Sequence, residues 1–397
     1  MEEWERWERR VQTAAHPVVY RLLTAVAARG PVVRVPGVGV VVSDARTARE
    51  VLTDTEAFTK TGPGAAAQLW TPVLGARTLI TLDGADHAAL RRRLSGLFTP
   101  AQVGAVCERG LREPLAGATR RLAAGDEVDL VPVVRAGAGA VIRELVGLPP
   151  DAAAGFAEAS AVLAGVRLWR ASLTGRQTAR ARAALARLSE AAVAAYRSGD
   201  ESTVPGRLRG LGLSEAEARG AVGMFLLTGT ETLVSFVPRL IALAHDVGRG
   251  PDRITDAVVE EALRVTSPTP VMLRSAARNG RLAGVRVRAG DRVVVAGLLC
   301  TRSAGPFAPD SPARAPLNRL WFGAGPHFCL GMPLAMAEIA TVLTALRPFP
   351  ALTVTTRHPA RGVLIPSYTT LAVRATPPAK SPRASGAPGP AVAPDRT

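Results

Sequence analysis

Hydrophobic and polar positions change period several times along this chain. "VVRVPGVGVVVSD" (32–44) places valines on either side of a Pro-Gly turn and predicts two short β segments. "ARTAREVLTD" (45–54) then switches to helical spacing. From about residue 87 to 264 the pattern is mostly helical, rich in Ala, Leu and Arg, with Gly/Pro breaks near 145–150 and 205–212. A second β-type patch follows in "RLAGVRVRAGDRVVVAGLL" (281–299), where valines alternate around Gly290-Asp291. "LAMAEIATVLTALRPFP" (334–350) predicts a helix stopped at Pro348, and "PALTVTTRHPARGVLIPSYTTLAVRA" (350–375) closes with β-type runs. Helices dominate and small sheets sit at the ends, so the expected class is mainly α with small β-sheets.

Residues 1–375 are expected to form one domain, helix-rich with a small β part. "TPPAKSPRASGAPGPAVAPDRT" (376–397) is Pro/Ala/Gly/Ser-rich without apolar periodicity and reads as a disordered tail. The opening "MEEWERWERR" mixes charges and lacks the apolar segment of a secretory signal, and no unbroken apolar run spans a bilayer. A cytoplasmic protein with no membrane association is the expectation.

Composition narrows the chemistry. Apolar residues make up 47% of the chain and aromatics only 4%, so Ala, Leu and Val must fill the core. Three scattered cysteines, Cys107, Cys300 and Cys329, suit neither a disulfide framework nor a tetrahedral zinc site. The net charge of +16 raises nucleic acid as a partner, but the arginines are dispersed, without lysine clusters or interleaved aromatics. A solvated basic surface that attracts acidic proteins is the simpler reading.

One stretch demands more than packing. "FGAGPHFCLGMPLAMAEI" (322–339) brackets Cys329 with glycines and starts a helix behind it. Phe322, Gly325, Cys329 and Gly331 fit F-x-x-G-x-x-x-C-x-G, with His327 two residues before the sulfur. A helix N-terminus behind a cysteine stabilises its thiolate. Elsewhere, Glu261 and Arg264 share a helix face in "EALR", as do His87 and Arg91 in "DHAALRRR". Ser214 and Glu217 form a capping box that opens "SEAEARGAVGMFLLTGTETLVSFVPRL". This apolar helix is interrupted by Thr228, Gly229, Thr230, Glu231 and Thr232, polar groups that are costly to bury unless satisfied or used.

Together these motifs resemble the cytochrome P450 superfamily, in its bacterial soluble form. The resemblance implies that fold, a triangular prism holding haem b between a long distal helix and the Cys-ligand helix. It implies Cys329 as the axial thiolate, a ligand that pushes electron density onto the iron and favours O–O cleavage. Phe322, Gly325 and Gly331 would shape the ligand loop, and His87, Arg91, Arg274 and His327 would meet the haem propionates. Glu261 and Arg264 would lock the proximal side, with Arg314 or Arg319 completing that network. Glu231 and Thr232 match the acid–alcohol pair that relays protons, and Gly229 would let the helix open for dioxygen. Thr228 replaces the family's usual alanine, adding a hydroxyl, and Pro238 is expected to kink the helix.

The implied activity is haem-dependent monooxygenation or oxidation of a small organic substrate, in bacterial secondary metabolism. Hydroxylation, epoxidation and oxidative C–C coupling stay open. It would use dioxygen and two electrons from NAD(P)H, delivered by an external ferredoxin and ferredoxin reductase, with Arg92 and Arg93 as contact candidates. Two alternatives are a haem-free helper subunit and a peroxide-driven peroxygenase. Candidate pocket residues are Trp70, Phe225, Thr228, Val271, Met272, Leu273 and Tyr368, with the stretch around Trp169 as part of a roof.

Overall fold

The computed structural model describes residues 1–148, 173–201, 203–311, 317 and 319–376. The stretch around Trp169, Arg314 and positions 377–397 of the expected tail lie outside the described residues.

The valine-rich segments become strands as their alternation requires. Val32–Val35 and Gly39–Val42 pair antiparallel, with Val32 opposite Val42. Gly39–Val42 then runs parallel to Arg292–Val295, which pairs antiparallel with Met272–Ala276; Phe58–Thr59 completes this five-stranded sheet. A parallel pair needs a crossover. Here the helical body intervenes between residues 42 and 292, so the sheet binds the two ends of the fold together. A second sheet joins Glu127–Asp129, Tyr368–Ala375 and Leu352–Pro359, and a two-stranded ribbon pairs Gly280–Leu282 with Val285–Val287.

The helical body is built from Pro100–Ala123, Leu130–Val146, Gly175–Ser198, Glu215–Gly229, Glu231–Asp246 and Met332–Leu346. Their boundaries follow local chemistry. Asp129 caps Leu130–Val146 by accepting from the Val131 N–H, and Gly147 ends it in the left-handed conformation. The Ser214–Glu217 capping box forms as expected. Val134, Ala138, Val141 and Ile142 pack with Val234, Phe236 and Leu240 in one apolar core.

The first helix, Glu3–Ala15, is absent from the sequence-based expectations. It buries Trp4, Glu8, Val11 and Gln12, and the Glu8 carboxylate pairs with buried Arg239. Glu215–Gly229 and Glu231–Asp246 form one nearly continuous helix, which is long and apolar enough by composition to cross a membrane. About 76% of its apolar window is buried inside the protein, so it serves here as the core helix.

Candidate functional site

The Cys329 loop is folded by its own short-range geometry. Gly323 and Gly325 adopt φ of +85° and +65°, where a side chain would be strained. The Cys329 N–H donates to Phe322 O at 2.9 Å and closes the loop. A Cβ on Gly325 would stand 2.8 Å from Leu52 O, so this glycine seats the loop on the end of helix Ala45–Thr53. Gly331 differs: its φ is −82° and its nearest Cβ neighbour would be the Cys329 sulfur at 3.9 Å. No crowding from the protein calls for glycine there.

The Cys329 sulfur is accessible yet lies deep in the molecule, so it faces an interior cleft rather than the outer surface. Burial pushes its thiol up. The N–H groups of Gly331 and Met332, and the nearby cations Arg91 and Lys60, pull the other way. Those N–H groups open helix Met332–Leu346, as the expected thiolate-stabilising arrangement requires. Cys107 and Cys300 are buried thiols pushed up by desolvation, consistent with packing roles.

Four expected residues converge on this cleft. His87 is buried on helix Gly84–Ser95, with its ring centroid 3.9 Å from that of His327. Arg91 is one turn further along the same face and close enough to Cys329 for their charges to interact. Arg274 is buried on strand Met272–Ala276; its Nη1 donates to Leu273 O, while its Nε has no partner. His327 Nε2 lies 2.9 Å from Asp83 Oδ1, and its buried Nδ1 has no partner.

Sequence reasoning missed two members of the cluster. Asp83 caps helix Gly84–Ser95 and is fully occupied, accepting from Thr59 Oγ1, the Lys60 N–H and the Gly84 N–H besides meeting His327. Burial opposes its charge, but these bonds win and hold the carboxyl well below the usual range. Its position four residues before His87, at a helix start, was a legible signal. Lys60 follows strand Phe58–Thr59 and sits beside Arg274, Asp83, Arg91 and Cys329. Burial, then the charge of Arg274, brings its ammonium down to about 7. His87 falls to about 3 through burial and the neighbouring cations; His327 falls to about 4 through burial, against the pull of Asp83.

This electrostatic balance tests whether haem fits. Lys60, Arg91 and Arg274 face one carboxylate whose acceptors are already taken. A buried cation such as Arg274 without a carboxylate of its own, and the orphaned Arg274 Nε and His327 Nδ1, are costly. A planar group with two carboxylates, whose metal reaches Cys329, supplies what is missing. The residues fit haem.

Behind the loop, the Glu261–Arg264 pair is bidentate, at 2.7 and 2.6 Å. Arg264 also donates to Thr301 O and Pro306 O, and Glu261 accepts the Ala308 N–H. The pair thus clamps the segment that leads into the Cys329 loop. Arg319 binds Glu260 at 2.6 Å rather than joining Glu261.

The long helix departs from its expected details. It breaks at Thr230, whose buried hydroxyl lacks a partner, and runs through Pro238 within Glu231–Asp246. Thr232 Oγ1 donates to Thr228 O at 3.0 Å, and Thr228 Oγ1 to Met224 O at 2.8 Å. The extra Thr228 hydroxyl therefore donates within its own helix, the usual back-bonding of a helical threonine, although the residue is exposed. Glu231 pairs with Arg135 of helix Leu130–Val146, so its carboxylate is held by a partner from another helix. Gly229 has a packing reason: a Cβ there would overlap the Ile142 Cδ1 atom.

Several pocket candidates turn elsewhere. Phe225 is buried against Phe98, ring centroids 5.6 Å apart, because its turn of the helix faces the core. Val271 and Leu273 pack toward Leu23 and Val26, while Met272, on the opposite face of the strand, reaches Gly297 and Gly323. Tyr368 opens strand Tyr368–Ala375 and is buried beside Trp4, Trp7, Glu8 and Arg239 under the first helix. Trp70, on helix Ala66–Leu74, is partly buried against the main core.

The cytochrome P450 family model matches residues 253–350, from the Glu261–Arg264 helix through the Cys329 loop. Cytochrome P-450 monooxygenase DoxA of Streptomyces sp. (strain C5) is 32% identical over 373 residues, covering 80% of this chain and 84% of that protein. Erythromycin C-12 hydroxylase of Saccharopolyspora erythraea is 30% identical over 285 residues, covering 65% and 69%. Among solved structures, CYP109E1 from Bacillus megaterium in complex with testosterone aligns with a TM-score of 0.78 at 21% identity, covering 92% of this chain and 99% of that one.

Proposed function

The chain belongs to the cytochrome P450 family, as an oxidoreductase of the monooxygenase type, and from that premise we propose a haem-thiolate enzyme that oxidises a secondary metabolite. Cys329 would hold the iron. His87, Arg91, Arg274 and His327 would hold the propionates. The haem, when bound, supplies dioxygen activation and the oxidation itself. The carrying observation is the convergence of His87, Arg91, Arg274 and His327, from three separate segments, on the one accessible cysteine among the described residues.

The protein's own work is positioning and proton supply. Glu261 and Arg264 fix the ligand loop from behind. Thr232 presents a hydroxyl at the helix break, and the Arg135–Glu231 pair joins that point to the neighbouring helix. Rotation of Glu231 away from Arg135 would bring in protons from outside, a gating role of the kind that conformational steps serve in many enzymes.

Two electrons are expected from an external ferredoxin and its reductase. Arg92 is exposed for such a contact; Arg93 is also exposed and donates to Gly212 O. The intact cysteine loop supports an enzyme over a haem-free helper, and the Glu231–Thr232 pair supports dioxygen over peroxide as oxidant. The names of two relatives, an erythromycin C-12 hydroxylase and a 20-oxo-5-O-mycaminosyltylactone 23-monooxygenase, favour a macrolide-type substrate, and a cytoplasmic location is consistent with a ferredoxin donor.

The test is the ferrous carbonyl spectrum of the purified protein. The red-shifted Soret band of thiolate ligation is expected in the wild type and lost in Cys329→Ala. A wild type without that band overturns the reading. Titration of the ferric form with macrolide and aromatic polyketide panels should then show a low- to high-spin shift for the substrate class.

A further inference from the structure

We propose that Lys60 is an additional haem-propionate partner in this protein, giving the propionate edge a flexible cation besides Arg91, Arg274 and the two histidines. The inference rests on the haem-thiolate reading above and assigns a residue beyond it.

Three observations carry it. First, the Lys60 backbone is pinned. Its N–H donates to Asp83 Oδ2 at 2.7 Å and its carbonyl accepts from the Ala67 N–H at 3.0 Å, so the side chain starts from a fixed point at the mouth of the cluster. Second, its half-buried side chain lies within charge reach of Arg274, Arg91 and Cys329, and its ammonium makes no hydrogen bond among the described residues. Third, the one nearby carboxylate cannot serve it. The oxygens of Asp83 are taken by Thr59, the Lys60 and Gly84 N–H groups and His327.

An ammonium that shares a small space with other cations and has no protein acceptor is stabilised when an anion enters. The haem carboxylates bring two negative charges to the place where the His327 Nδ1 and Arg274 Nε atoms also lack partners. Lysine suits this role because its compact charge on a four-carbon stem can follow a propionate that arginine forks already hold in part. The chain has only two lysines, Lys60 and Lys380, against 47 arginines. This makes the residue unusually easy to follow.

The experiment compares holoenzymes of the wild type, Lys60→Met and Lys60→Arg. Haem transfer to excess apomyoglobin should be about tenfold faster from Lys60→Met, the scale of one lost charge-assisted hydrogen bond, and near wild type from Lys60→Arg. The ferric/ferrous potential of Lys60→Met should fall, since a cation near the haem has gone. In wild-type ferric holoenzyme labelled with 15Nζ-lysine, one of the two ammonium signals should be broadened by the iron. Transfer rates within twofold of each other, or two equally sharp ammonium signals, overturn the proposal while leaving the haem reading standing. A wild type lacking the red-shifted carbonyl band overturns both.

Discussion

The cysteine loop and the long helix are built on different principles. The loop is shaped by residues close in sequence: Gly323, Gly325 and the Cys329–Phe322 hydrogen bond lie within eight positions. The Glu215–Asp246 helix takes its functional shape from distant partners. Ile142 fills the space beside Gly229, Arg135 holds Glu231, and the break at Thr230 falls between them. A short-range motif shapes the cysteine loop, whereas the long helix depends on how a neighbouring helix packs. The cysteine loop is therefore open to disruption by its own residues or by the clamp behind it, whereas the helix can be retuned from a neighbouring helix.

The sharpest test of that contrast is the clamp behind the loop. Arg264→Ala would leave Glu261 near Pro306 and Ala308 without its buried partner, a change that typically costs about 3–5 kcal/mol. Chemical denaturation should report that loss, together with a low yield of haem-loaded protein. Wild-type stability in this variant would show that the loop needs no clamp.

Thr232→Ala probes the long helix. The variant should fold normally and lose product formation by roughly 100-fold through lost proton delivery. Peroxide should appear in place of product while reductant consumption continues. Unchanged coupling between NAD(P)H consumed and product formed would count against the role of Thr232.

Gly229→Ala tests the helix–helix contact. Overpacking against Ile142 should cost about 1–3 kcal/mol, and the double variant with Ile142→Ala should recover part of it. Additive losses in the two substitutions would show that the glycine answers to something else.

The smallest effect is at the helix start. Burial works against the Glu217 charge, but the Ser214 N–H and hydroxyl and Arg77 hold the carboxyl at about 2, below its ordinary 4.5. Because the folded value is lowered, the stabilisation is complete above pH 4.5 and disappears as pH falls through about 2. Glu217→Gln should therefore be less stable at pH 7, with the gap to wild type closing on acidification. A gap that widened toward low pH would contradict the assignment.

The clearest sequence signals were the ones with short range. The Cys329 motif, the Ser214–Glu217 box, the Glu261–Arg264 spacing and the valine alternation each specify geometry within a few residues, and each formed as expected. The pocket candidates fared differently. Phe225, Val271 and Tyr368 were chosen by proximity in sequence to functional positions, yet helical rotation, strand alternation and the unforeseen first helix turned them toward the core.

The cysteine loop, the start of the long helix and the mainly helical class were set by the sequence alone, because these follow from φ preferences, capping and hydrophobic period. Tertiary structure alone decided that Lys60 and Asp83 stand beside Arg91, Arg274, His87 and His327. It also decided that Glu231 meets Arg135 and that Gly229 makes room for Ile142. Charge balance and steric fit are properties of groups that share a volume, and that sharing is set by the packing of elements far apart along the chain.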